Sequence, residues 1–273
     1  IQRYLRVVRA TPLRETAGER IARLEMLERQ LLDPLAASKA ALRLEAIGND
    51  AAPVLIKGLG SSDHEVQFYS AEALAYLGHE DADKAAGYLG KAARENSALR
   101  VFALTALSAM TDYEARDQLV QLLHVPSAET RYGAFRALWA MNKNDPLVSG
   151  ELLGRENQFS YHKLQTTGPA MIHLTANFRP EIVLFGHDHT LQTPLLLESG
   201  KHIMVKAPPG GPVTVSRFAV GQPDQKRQVE PTVDAVIRAC VELGATYTDV
   251  VQMLQQANKN KILGVCRLEV DAL

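Results

Sequence analysis

The sequence predicts an α+β chain in two parts, an α-solenoid of helix pairs over residues 1–150 and a smaller α+β domain over residues 151–273. Three observations support this prediction. Alanine- and leucine-rich segments repeat through the first half, and such residues favour closely packed helices. After Asn144-Asp145-Pro146 the repeat stops, and β-branched runs between prolines and glycines favour short strands. Residues 234–270 then predict a helix, a tight turn, a second helix and a strand.

Length and charge narrow the possible functions. The chain has 273 residues, enough for two domains with their own cores. Its 30 basic and 31 acidic side chains leave a net charge of -1, which argues against binding nucleic acid or an acidic membrane through a broad basic face. No apolar run is long enough to predict a membrane span. Because the chain begins at Ile1 without a secretory signal, we expect a processed or fragmentary product whose upstream sequence, signal peptide included, is not in view.

The internal repeat is the strongest signal of the first half. Four segments align at a period of about thirty residues, which is typical of helix pairs. Second helices are predicted between them, at 52–59, 83–93 and 113–123. Four leucines occupy equivalent places in the aligned segments 37–48, 67–78, 100–111 and 131–142: Leu44, Leu74, Leu107 and Leu138.

Two stretches that overlap these segments, 63–74 and 128–138, resemble HEAT-type repeats of the short, phycobilisome-lyase-like kind. The resemblance implies a curved scaffold that presents surface to other molecules, because each repeat stacks only on its neighbours. Arg131 and Arg136 could contact a partner, although charges at the start of a helix are more often solvated. Upstream, Thr11-Pro12 predicts a helix start, and residues 15–32 predict an amphipathic helix that Pro34 ends and that caps the solenoid.

The second half contains five predicted strands with short connections, which favour a mainly antiparallel sheet. They cover residues 171–175, 182–185, 194–197, 202–206 and 213–218. The second of them runs into Gly186-His187-Asp188-His189, which resembles the last metal-binding motif of calcineurin-like metallophosphoesterases. That family also uses carboxylate and amide ligands from upstream motifs, and none of these motifs is found here. We therefore predict surface histidines in a turn and no catalytic, cofactor or metal site.

The C-terminal segment has clear helix signals. Gly244 ends a helix with a left-handed cap, and Thr246 with Asp249 predicts a capping box for the next helix. Cys240 lies in the first of these predicted helices and Cys266 in the predicted closing strand, 265–270. A disulfide between them is possible but not favoured, because the sequence does not place their Cα atoms within bonding range.

The same segment resembles the C-terminal end of bacterial flagellar P-ring proteins. The matches are Arg238-Ala239, Leu243 to Thr246, Asp249, Leu254-Gln255 and Leu268 to Val270. The resemblance implies a non-enzymatic structural component of a periplasmic or cell-envelope ring, with many copies of the chain and contacts with basal-body proteins, other envelope proteins or peptidoglycan. The predicted assembly interface consists of Arg217, Arg238, Leu243, Thr246 and Asp249.

Two other hypotheses remain open from the sequence. The first is a cytoplasmic HEAT-repeat adaptor that binds other proteins and whose C-terminal domain resembles the P-ring end by chance. The second is a metal-dependent phosphoesterase that uses the Gly-His-Asp-His turn. The mass of the particle in solution separates a ring from an adaptor, and metal analysis tests the phosphoesterase.

Overall fold

A computed structural model describes residues 15–155, 159–176, 179–187, 189–219, 221 and 223–270. The chain divides into two compact units, Ile1–Lys143 and Asn144–Leu273. The first is helical and the second contains strands and two helices. The helix start predicted at Thr11-Pro12 lies outside the described residues.

The described part of the first unit is an array of α-helices in two layers. Helices α2, α4, α6 and α8 contact one another in order, and so do α1, α3, α5 and α7. Each helix also contacts its neighbours along the chain, so successive pairs stack on one another as repeats do. The helices are α1 (Ala17–Leu31), α2 (Pro34–Ile47), α3 (Ala52–Leu59), α4 (His64–Leu77), α5 (Asp83–Glu95), α6 (Arg100–Ala109), α7 (Tyr113–Leu122) and α8 (Ala128–Met141).

The repeated leucines form the core of this array. Leu44, Leu74 and Leu107 are completely buried, and Leu138 is 1% exposed. Each belongs to a helix of the even-numbered layer, so the period in the sequence corresponds to one helix pair in the structure. The predicted equivalence of these four positions is confirmed by their burial.

The helix boundaries follow local capping chemistry. Thr16 caps α1, and it forms a capping box with Glu19. Pro34 does more than end the upstream helix, because it is also the first residue of α2, after the N-cap Asp33. Proline suits this position, since the missing N–H would have no partner inside the helix.

The described residues of the second unit form two sheets, where the sequence predicted one. The strands of this unit are β1 (Gly150–Leu153), β2 (Phe159–Leu164), β3 (Met171–Leu174), β4 (Glu181–Phe185), β5 (Leu195–Ser199), β6 (Ile203–Ala207), β7 (Val213–Arg217), β8 (Gln225–Val229) and β9 (Arg267–Val270). The five-stranded sheet has the order β1-β2-β4-β3-β9, and the four-stranded sheet has the order β5-β6-β7-β8.

Strand direction differs between the two sheets. The four-stranded sheet is antiparallel throughout, as short hairpin connections favour. The five-stranded sheet is mixed, because β2 pairs with β4 and β3 pairs with β9 in parallel. Parallel neighbouring strands need a long connection. The chain between β3 and its parallel neighbour β9 is long, and it includes the two helices that lie between β8 and β9.

Helices α9 (Val233–Glu242) and α10 (Tyr247–Lys259) pack with both sheets in one hydrophobic core. Gly244 has a φ of 97°, a conformation in which a side chain is strained, and it turns the chain after α9. The predicted capping box of Thr246 and Asp249 is confirmed at the start of α10. Both cysteines are buried free thiols, and burial raises the pKa of Cys240 to about 12.

Candidate functional site

The first unit carries a groove between α6 and α8 with a volume of about 470 Å³, which we call the α6–α8 groove. Its apolar lining includes Val101 and Leu104 from α6 and Ala137 from α8. Its charged lining consists of Arg100, Glu129 and Arg136. Cavities of this size, with an apolar surface and a few polar groups, are typical of binding sites.

Two contacts across the groove fix the direction of its helices. A guanidinium nitrogen of Arg100 lies 3.7 Å from a carboxylate oxygen of Glu129. A Cβ atom added to Gly133 would lie 2.5 Å from Cδ1 of Leu104. The partners in both contacts have the same separation in sequence, so α6 and α8 run parallel and their N-termini lie at one end of the groove. The bare backbone at Gly133 lets α8 approach Leu104 closely.

Both arginines of the groove are held in place by neighbouring groups. Nε of Arg100 donates a hydrogen bond to the carbonyl oxygen of Ala93, in the last turn of α5, at 3.3 Å. The guanidinium carbon of Arg136 lies 4.8 Å from the centre of the Trp139 ring, a cation–π distance. These contacts restrict the side chains before any ligand arrives, which lowers the entropy that binding would cost.

Apolar side chains are exposed at the groove and beside it. Val101 is 68% exposed and lines the groove, and the next residue, Phe102, is 56% exposed. Two large apolar side chains at the start of α6 leave apolar surface in water next to a cavity. Exposed apolar surface of this kind often marks an interaction site.

Of the groove residues, the sequence indicates only Arg136 as a possible partner contact, and it favours a solvated charge for both Arg136 and Arg131. The structure shows that Arg131 is buried and not solvated, because it is only 1% exposed. Its Nε donates a hydrogen bond to the carbonyl oxygen of Leu123 at 3.2 Å. The sequence signal that was missed is Gly133, a glycine inside a helical pattern, which can mark a close approach of two backbones.

The five residues predicted for an assembly interface lie in the second unit, where they have internal contacts. Leu243 is 1% exposed in the core, and Thr246 and Asp249 bond to each other in the capping box. The guanidinium of Arg217 lies beside Gly244, where an added Cβ would be 3.4 Å from it. Arg238 forms two hydrogen bonds with the Glu151 carboxylate, at 3.1 and 2.5 Å. A role of these residues in assembly stays a prediction.

Arg238 also belongs to a cluster around Asp234. This carboxylate accepts hydrogen bonds from the Tyr161 hydroxyl at 2.7 Å, from Nζ of Lys163 at 2.7 Å and from Nε of Arg238 at 3.0 Å. Partial burial opposes its ionisation, but these bonds and the two positive charges outweigh that effect, so the pKa of Asp234 lies below its ordinary value. The hydrogen bonds from Arg238 likewise lower the pKa of Glu151. The cluster fastens α9 to β1 and β2.

The lowered pKa of Asp234 predicts an acid-sensitive contribution to stability. A carboxyl group whose pKa is lower in the folded state stabilises that state above its unfolded pKa, about 4, and this contribution is lost as the pH falls through the folded pKa. We expect Asp234→Asn to unfold at lower urea concentration than the wild type at pH 6, and the gap to shrink as the pH falls below about 4. Circular dichroism of the intact chain measures both midpoints. A gap that does not change with pH would contradict the prediction.

The Gly-His-Asp-His turn does not supply a ligand set among the described residues. Gly186 follows β4 with a φ of 94°, and His187 is exposed. His189 is 8% exposed, and its carbonyl oxygen accepts a hydrogen bond from the N–H of Val233 at the start of α9. Asp188 lies outside the described residues. The backbone of this turn therefore helps to position α9.

The described residues contain one group of three side chains that could hold a metal ion, His79, Glu80 and Asp81. It lies on a short 3-10 helix of the first unit. Nδ1 of His79 accepts a hydrogen bond from the backbone N–H of Asp81 at 3.1 Å, so this nitrogen serves as a helix cap. The side chain of Asp81 accepts a hydrogen bond from Lys84. Capping and ion pairing account for the arrangement.

Comparison with known proteins gives structural neighbours only. No family model matches the chain, and no curated protein matches it. One similar solved structure is the complex of CpcE and CpcF of phycocyanin lyase from Nostoc sp., with 19% identity, a TM-score of 0.37, and coverage of 47% of this chain and 85% of that one. Another is human deoxyhypusine hydroxylase in complex with glycerol, with 24% identity and a TM-score of 0.36; the match covers 44% of each chain.

These comparisons correct the interpretation drawn from the C-terminal segment. The assignment to flagellar P-ring proteins, and with it a structural role in a basal-body ring, is wrong, because no family model matches and the similar structures are a lyase and a hydroxylase. The comparisons do not support the expectation that the chain is not an enzyme, because the solved structures that they found are those of a lyase and a hydroxylase. The residue matches to P-ring proteins lie mostly at helix caps and turns. They are weak evidence for a family, because a capping box and a left-handed glycine recur in unrelated helices.

Self-association and a periplasmic location stay predictions. Among the described residues, no helix has both the length and the apolar character needed to cross a membrane.

Proposed function

We propose that the chain is a HEAT-like repeat protein that binds a partner protein through the α6–α8 groove. The observation that carries the proposal is the 470 Å³ groove itself, which combines an apolar floor, two positioned arginines and the exposed Val101. The stacked helix pairs supply a rigid frame for it. Repeat arrays of this kind typically use such extended helical surfaces for binding.

The structure of the groove favours a macromolecular partner over a small molecule. Val101 lines the groove and is 68% exposed, and the neighbouring Phe102, which does not line it, is 56% exposed. A small ligand inside the cavity would leave this neighbouring surface exposed. A protein segment that fills the groove could also cover it, which adds to the apolar area removed from water.

Photo-crosslinking at position 101 tests the proposal. We expect Val101→p-benzoylphenylalanine to capture a partner from an extract of the source cells, because this position is exposed and lines the groove. The matched control is the same replacement of Leu42, which is 54% exposed on α2 of the same helix layer and does not line the groove. Mass spectrometry identifies the captured protein.

A specific partner should be captured at position 101 and not at position 42. An excess of unlabelled wild-type chain should compete with the capture. An excess of Thr105→Trp should not compete, because the exposed Thr105 lines the groove and an indole there would fill it. Equal capture at both positions, or no capture at either, would argue against binding in the groove.

A further inference from the structure

We infer that the partner segment in the α6–α8 groove is an acidic amphipathic helix, an inference that rests on the proposed function. The charges of the groove carry the argument. Its lining contains two arginines and a single carboxylate, Glu129. This carboxylate is already close to Arg100 and accepts a hydrogen bond from the Ser127 hydroxyl at 2.9 Å. The lining therefore has an excess of positive charge.

The backbone adds to this positive potential. The N-termini of α6 and α8 lie at the same end of the groove, where Arg100 and Glu129 meet. Each helix N-terminus carries a partial positive charge, so the two parallel helices and the guanidinium of Arg100 favour negative charge at that end, and Glu129 supplies part of it. Arg136 lies further along α8, one turn beyond Gly133. Acidic residues spaced along a partner would meet positive charge at two points.

The length of the groove fits a short helix. From Glu129 to Ala140, the lining residues of α8 span about 16 Å at 1.5 Å per residue. A partner helix of about three turns has the same length and presents apolar side chains at every third or fourth position. These side chains would face the apolar lining residues Val101, Leu104 and Ala137.

Other occupants fit the same groove less well. A basic segment would place like charges against Arg100 and Arg136, which disfavours binding. Nucleic acid binding draws its affinity from many phosphate contacts, and this lining offers only two arginines. An acidic helix with an apolar face matches both the net positive charge of the groove lining and its apolar residues.

Peptide selection on the intact chain tests the inference. A display library of random peptides of about fifteen residues is selected on the wild type, and binders to the groove-filled variant Thr105→Trp are removed. We expect the remaining peptides to combine Leu, Ile or Phe at helical spacing with an excess of Asp and Glu. For a selected acidic peptide, Arg136→Gln should weaken binding about tenfold, as the loss of one charged contact typically does.

Two control variants separate charge from folding. Arg136→Lys keeps the positive charge and should retain most of the affinity. Arg94→Gln removes an exposed arginine of α5 that does not line the groove, and it should leave binding unchanged. Groove-dependent peptides without acidic enrichment, or with full affinity for Arg136→Gln, would overturn the acidic-helix inference and leave groove binding intact. A library without any groove-dependent peptide would overturn both.

Discussion

Replacing Leu74 with alanine is expected to destabilise the first unit by about 2–5 kcal/mol. Leu74 is completely buried in α4, where it contributes to the continuous core between the two helix layers. The substitution removes three carbon atoms and leaves a cavity that the neighbouring helices can fill only in part. Because each repeat stacks on the next, a weakened repeat also weakens its neighbours.

Leu35→Ala is the matched control for this substitution. Leu35 is the same residue type in a helix of the same layer, but it is 97% exposed in the first turn of α2. We expect it to change stability by less than about 0.5 kcal/mol. Urea unfolding followed by the fluorescence of Trp139, the single tryptophan and a residue of the first unit, compares the two variants. Similar losses for both would show that the repeated leucines are not the core positions.

The second large effect is expected for Asp234→Ala, which should destabilise the second unit by roughly 2–4 kcal/mol. The substitution removes the acceptor of the hydrogen bond from the Tyr161 hydroxyl. This loss is costly because Tyr161 is only 1% exposed, so water cannot easily replace the acceptor. It also leaves Lys163 and Arg238 close together without the carboxylate between them. A smaller part of the loss comes from the first turn of α9, where an acidic side chain favours the helix.

Glu242→Ala provides the comparison for Asp234→Ala. Glu242 also lies on α9 and pairs with Arg227 at 3.5 Å, but both side chains are more than half exposed. Exposed ion pairs contribute little, so we expect a change below about 0.5 kcal/mol. Hydrogen exchange measured by mass spectrometry on peptides from β2 and α9 reports the stability of this unit. Equal protection in the two variants would show that the cluster around Asp234 contributes no more than a surface pair.

Local features of the sequence predicted local features of the structure well. The leucine period of the first half corresponds to helix pairs, since each repeated leucine must be buried on one face of a helix. Thr246 and Asp249 predicted the start of α10, because the capping box depends on residues only three positions apart. The five predicted strands are found as β3 to β7, with small differences at their ends.

Contacts between distant residues were not predictable in the same way. The sequence indicated one mainly antiparallel sheet, whereas the chain forms two sheets and two parallel strand pairs. Strand order depends on which faces the core can cover, and alternation within one strand does not carry that information. Arg131 was misjudged for a related reason, because its burial depends on the carbonyl group of Leu123 in the preceding segment.

The sequence by itself determined most local elements of this protein: the helix pairs of the first half, strands β3 to β7 and β9 of the second, and the capped helices near the C-terminus. Each depends on residues within a few positions of one another. Only the tertiary structure decided that α6 and α8 lie side by side, with Gly133 against Leu104 and Arg100 beside Glu129. The groove exists because packing of the whole array sets the distance between these helices, and no short stretch of sequence specifies that distance.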